Sequence, residues 1–138
     1  MFRQSLNAII QGEEVYLSSA YRIVVELIEL NNNYCQQLTK EELSRMLIQL
    51  TYYPPTIKNY AGSILALLSF YTQDRTLTER LVRQQGLKTV FVYLGLNNVN
   101  NRKSAAIVLL NCMKHLLRSV EVGGLVTSVL FNSRLLYM

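Results

Sequence analysis

Two cysteines, two prolines, six glycines, one histidine and no tryptophan are spread over 138 residues. Each shortage excludes something. Cys35 and Cys112 cannot make a disulfide framework, and they read as reduced thiols of an intracellular protein, cytoplasmic or nuclear. No second Cys or His lies close enough in sequence to join Cys112 and His115 in a zinc site. Gly123-Gly124 leads into an apolar segment without a lysine, which is not a phosphate-cradling loop. The longest uncharged stretch falls short of the roughly 18–20 residues of a membrane helix. The opening, MFRQSLNAIIQGEE, lacks the long apolar centre and cleavage site of a signal peptide. The carboxylate pairs Glu13/Glu14 and Glu41/Glu42 fall at expected helix starts, where the helix dipole accounts for them without catalysis. Neither an enzyme, nor a metal, nor a cofactor is expected.

What is present is apolar spacing. Hydrophobic residues make up 50% of the chain and recur three and four positions apart, while period-two alternation is scarce. The pattern predicts one all-α domain over 1–138, with helices near 13–31, 39–52, 55–73, 77–85, 87–96, 100–118 and 122–136. Thr39-Lys40-Glu41-Glu42 and Thr76-Leu77-Thr78-Glu79 both have the spacing of a capping box. Pro54-Pro55 separates two helices, Gly86 suits a helix end, and the asparagines at 97–101 mark a polar turn.

The long helices repeat. Shifting residues 43–69 by 44 positions places Leu43 on Leu87, Leu50 on Leu94, Ala61 on Ala105, Ile64 on Val108 and Leu65 on Leu109. Shifting residues 20–28 by 41 places Ala20 on Ala61, Ile23 on Ile64, Val24 on Leu65 and Leu27 on Leu68. A small residue is followed each time by apolar residues three, four and seven positions later. Near-constant spacing of this kind is the mark of a stacked repeat array.

Residues 105–112, AAIVLLNC, resemble the end of an armadillo unit, A-A-x-x-L-x-N-L, with Cys112 in the last position. LVRQQGLKTVFVYL (81–94) is similar to that family's short helix, glycine and second helix, and SVEVGGLVTSVL (119–130) is similar to the same opening. The resemblance implies an armadillo-like α-solenoid of about three repeats with a partial C-terminal unit, a HEAT-type stack being the near variant. It covers about 40–138, and 13–31 more loosely. The position of Asn111 is Leu67 in the second unit and Glu26 in the first, so the asparagine ladder of peptide-binding members is absent.

On a helical wheel of 102–118, Lys103, Lys114, Arg118, Asn111 and Ser104 share one side with Ile107, opposite the apolar arc. The alignment carries this stripe to Asn59, Ser63, Leu67, Phe70 and Asp74, and then to Ser18, Arg22, Glu26 and Glu29. In armadillo-like stacks such helices line one concave face. The resemblance therefore implies a groove running from acidic, through polar and aromatic, to basic. Arg22 and Glu26, four apart, are expected to offset each other. Lys103, Lys114 and Arg118 would pair with acidic groups of a partner, Asn111 would hydrogen-bond its backbone, and Phe70 would add apolar contact.

Charge is uneven: residues 1–69 carry five Lys/Arg against six Asp/Glu, residues 70–138 nine against three. The basic second half keeps a helical-repeat RNA-binding protein open as the alternative. Among the nine tyrosines, Tyr52, Tyr53, Tyr60 and Tyr71 cluster, and are expected to bridge core and solvent. Both ends, MFRQSLNAII and GGLVTSVLFNSRLLYM, are apolar. The chain is thus expected to be a piece of something longer, or to pack its ends on a partner or a second copy. The function expected is that of a non-catalytic scaffold or adaptor for a protein partner.

Overall fold

The computed structural model describes residues 1–12, 14–52, 60–95 and 98–116. The helix expected over 122–136 and the start of the one expected from 55 lie outside the described residues. Within them the protein is all-helical, without a strand: α1 (Phe2–Gln11), α2 (Glu14–Leu30), α3 (Lys40–Tyr52), α4 (Tyr60–Tyr71), α5 (Arg75–Arg83), α6 (Gly86–Val92) and α7 (Val99–Leu116). Short 3-10 turns occupy Asn32–Gln37 and Tyr93–Gly95.

Helix α1 corrects the sequence reading, which placed no helix before residue 13. Phe2, Leu6 and Ile9 are spaced by four and three, and all are buried. Gly12 stops the helix in the left-handed conformation at φ 72°, its N–H returning to the Ala8 carbonyl. The residues between the buried ones, Arg3, Gln4, Asn7 and Gln11, are exposed. Phe2, Leu6 and Ile9 are therefore turned inward, while Ile10 stays 38% exposed.

The caps explain the other boundaries. Thr39 and Glu42 form the expected capping box: the Thr39 N–H donates to Glu42 Oε1 at 2.8 Å, and the Glu42 N–H to Thr39 Oγ1 at 3.2 Å. The second expected box is not used. Helix α5 begins two residues earlier, where the Asp74 carboxylate accepts from the Leu77 N–H at 2.9 Å. Asn98 starts α7 by accepting from the Asn101 N–H at 3.0 Å. At the α5–α6 corner Gln85, not Gly86, takes the positive φ of 60°. Gly86 instead opens α6, where an added Cβ would lie 2.4 Å from Leu81 Cδ1. Packing requires that glycine; chain reversal does not.

The long helices pack in chain order, α2 against α4 and α4 against α7. On the other side α1 packs on α2 and α3, and α3 on α6. Ala20, Ala61 and Ala105 are all buried, as are Val24, Leu65 and Leu109. Ile23 and Leu27 are only half-buried where Ile64 and Leu68 are enclosed. The reason is that α4 has a long helix on either side, whereas α2 has α4 and the shorter α1. At Gly62 an added Cβ would come within 3.1 Å of Asn101 Oδ1, so the start of α7 approaches α4 closely there.

Several hydrogen bonds tie positions about 40 residues apart in the chain. Tyr93 Oη donates to the Leu50 carbonyl at 2.7 Å, and Arg80 Nη1 to the Leu38 carbonyl at 3.0 Å. Gln49 Nε2 donates to the Ile9 carbonyl at 2.9 Å and its Oε1 accepts from Tyr21 Oη, which joins α1, α2 and α3. Tyr71 departs from the expectation of a solvated hydroxyl. It is fully buried beside the Arg80 guanidinium, and burial raises the pKa of its hydroxyl while Arg80 pulls it back down. Tyr53 lies outside those residues.

Candidate partner-binding face

The outward residues of α2 follow the helical repeat: Val15, Ser19, Arg22, Glu26 and Glu29 are exposed. Arg22 Nε lies 3.3 Å from Glu26 Oε1, the expected i,i+4 pair, and both side chains are well solvated. Such a pair contributes little stability. It does reduce the charge offered by this stretch, which leaves Glu29 as its unneutralised end.

Helix α7 presents Lys103, Ile107, Leu110 and Lys114 along one exposed strip, at spacings of four, three and four. Two cations thus bracket two apolar side chains, and Leu110 is 61% exposed. Leu110 was not among the residues expected here. The signal was present: on the wheel it falls next to Lys103, at the edge of the apolar arc. Val99 and Val92 are similarly open, at 65% and 60%.

Between these helices the expected stripe is corrected. Leu67 is fully enclosed, so it cannot belong to an open face. The half-buried positions of α4 are instead Gly62, Ser63, Ala66, Ser69 and Phe70. Four of them are small residues and the fifth is Phe70, while the helices on both sides of α4 cover the rest. Asn111 is also reassigned. Its Nδ2 donates to the Ser69 carbonyl at 3.1 Å and to Thr72 Oγ1 at 3.2 Å, which commits both amide hydrogens to α4. Only its side-chain carbonyl is left for a partner's N–H. Asn59 and Arg118 lie outside the described residues.

Phe70 lines a cleft of about 270 Å³ at the ends of α2 and α4, together with Asn32, Asn33, Cys35, Gln36, Gln73, Asp74 and Leu77. Asn32 Nδ2 donates to Gln73 Oε1 across its rim. These two residues are 41 positions apart, so the repeat shift that aligned the apolar residues also pairs them.

Neither thiol is suited to nucleophilic work. Burial pushes Cys112 up to about 12, and burial followed by the Asp74 charge does the same to Cys35. Among the described residues no group of three His, Cys, Asp or Glu side chains is arranged to hold a metal ion. No described helix is long and apolar enough to cross a membrane. The basic residues of the second half are divided. Arg80 is tied to the Leu38 carbonyl and Arg75 lies 3.6 Å from Glu79, while Arg83, Lys88 and Arg102 are exposed. No protein-family model, curated protein or solved structure matches the chain.

Proposed function

We propose that the protein is an armadillo-like α-solenoid of about three repeats and works as a non-catalytic protein-binding module, a scaffold or adaptor. Each repeat ends in one of the long helices α2, α4 and α7, and a partner segment lies across the face these helices share. The order of packing, α2 on α4 on α7, and the ties between residues about 40 positions apart support the stack. The observation that carries the binding reading is the α7 strip, where exposed Ile107 and Leu110 stand between Lys103 and Lys114. Exposed apolar side chains framed by charge suit a partner that combines a hydrophobic anchor with acidic groups.

The test is a pull-down compared across two charge reversals, Lys103→Glu/Lys114→Glu and Glu26→Lys/Glu29→Lys. The first is expected to lose the main partner and the second to weaken it. An unchanged set of bound proteins in both variants would overturn the reading.

Exposed Arg83, Lys88 and Arg102 favour RNA as the second reading. Binding of a generic RNA that falls steeply with salt would support it over the protein partner, and absence of binding at low salt would remove it.

A further inference from the structure

The cleft beside Phe70 has a charge and a shape that the α7 strip does not use. Asn32 and Asn33 follow the end of α2, and Gln73 and Asp74 follow the end of α4. The C-terminus of a helix carries partial negative charge. Neither α2 nor α4 has a basic residue in its last turn to offset it. No lysine or arginine lines the cleft, and its one charged lining residue is Asp74. One oxygen of that carboxylate accepts from the Leu77 N–H, which uses one of about four acceptor positions on the group. The negative field reaches the interior, since Asp74 contributes to raising the Cys35 thiol. The nearest basic side chains are engaged elsewhere, Arg75 with Glu79 and Arg80 with the Leu38 carbonyl.

The rest of the lining selects among cations. Asn32, Asn33, Gln36 and Gln73 bring side-chain amides to the lining, with the Gln73 carbonyl already accepting from Asn32, and Phe70 supplies an aromatic surface. An ammonium ion is a strongly hydrated point charge and loses much on entering a partly closed cleft. A guanidinium is planar, more weakly hydrated, carries five donors and stacks on aromatic faces. We infer that this cleft binds the guanidinium of an arginine side chain borne by another protein, with Asp74 as its counter-charge and Phe70 as its stacking surface. The site shares Phe70 with the α4 part of the α2–α4–α7 face, but it has its own cavity and its own charge in Asp74.

The experiment follows backbone amide resonances of the full chain at fixed ionic strength. The probes are Nα-acetyl-arginine amide, the matching lysine derivative, the neutral isostere Nα-acetyl-citrulline amide, and free L-arginine. The arginine derivative is expected to shift resonances of residues 32–36 and 73–77, with the lysine derivative several-fold weaker. Citrulline is expected to bind at least about tenfold more weakly, the equivalent of 1.4 kcal/mol. Asp74→Asn keeps a good helix cap while removing the charge, and should lower arginine affinity by a similar factor with the fold intact. Phe70→Leu should lower it several-fold. Equal binding of citrulline and arginine, unchanged affinity in Asp74→Asn, or shifts confined to other residues would overturn the inference. Free L-arginine binding more tightly than the capped derivative would overturn its protein-borne source.

Discussion

The first helix and the last described one handle apolar residues in opposite ways. Helix α1 hides Phe2, Leu6 and Ile9 and leaves Ile10 as the exposed apolar residue among polar ones, at 38% against 61% for Leu110 on α7. It is also bound by charge: Arg3 Nη1 donates to both oxygens of Glu42 at 2.9 and 2.8 Å, and Glu42 is only 1% exposed. The same carboxylate caps α3, so one buried charge is satisfied from two directions. Helix α7 is held to α4 by Asn111 and by close packing at Gly62, yet it leaves Ile107 and Leu110 on its open face. The comparison separates two uses of hydrophobic residues at the edge of a helical stack. Helix α1 buries most of its apolar side chains against its neighbours, while α7 leaves Ile107 and Leu110 exposed. The apolar segment expected at the C-terminal end, GGLVTSVLFNSRLLYM, lies outside the described residues, so the comparison concerns α1 and α7 alone.

The largest effect is expected from pH, through the Cys112 thiol of α7 and the Cys35 thiol of the turn after α2. Cys35 and Cys112 are each pushed from 9.0 to about 12. A thiol raised in the folded state releases its proton first from the unfolded chain. Its contribution to stability is therefore complete below about pH 9 and is lost as pH rises towards 12. Urea melts should lose about 1.4 kcal/mol per pH unit for each thiol across that window. The Cys35→Ala/Cys112→Ala variant should show a flatter slope, and an equal slope would break the account. Next comes helix α1. Leu6→Ala should cost roughly 2–5 kcal/mol in urea melts, because a fully enclosed side chain leaves a cavity. A cost under about 0.5 kcal/mol, typical of surface positions, would show that α1 does not bury Leu6 against its neighbours.

Much of the architecture was legible before any coordinates. The long helices, the capping box at Thr39 and Glu42, the Arg22–Glu26 pair and the buried thiol of Cys112 follow from local spacing, which a sequence states directly. Helix α1 was missed although Phe2, Leu6 and Ile9 carry helical spacing. The segment is short, has no side-chain cap at its start, and draws its order from α2 and α3. The enclosure of Leu67 and the internal hydrogen bonds of Asn111 have a different origin. A helical wheel assigns an inside and an outside, but α4 has neighbours on two sides, so a residue on its supposed outer edge is enclosed. Asn111 looked like part of a solvated stripe because its acceptors, Ser69 and Thr72, belong to another helix. The cleft was illegible for the same reason: Asn32, Phe70 and Asp74 meet only where the ends of α2 and α4 come together.

The tie between α4 and α7 gives a smaller effect. Asn111→Ala removes two internal hydrogen bonds at a half-buried position, and should destabilise by about 1 kcal/mol in urea melts. A neutral substitution would return Asn111 to the role of a solvated, partner-facing amide.

The smallest change in stability is expected at Leu110, where it separates the two edges most sharply. Its side chain is 61% exposed, so Leu110→Asp should alter the folding free energy by about 0.5 kcal/mol or less. Its effect on association should be large, because a carboxylate in the middle of the Ile107–Leu110 strip cannot be desolvated against an apolar surface without a cationic partner. Sedimentation over a range of concentrations should show the parent chain self-associating and the variant displaced towards monomer, with unchanged helical circular dichroism. A parent chain that stays monomeric throughout would leave the strip to a different protein. A variant that associates like its parent would move the contact away from α7 altogether. If Leu110→Asp instead unfolded the protein, α7 would be as closed as α1, and the contrast between the two edges would collapse.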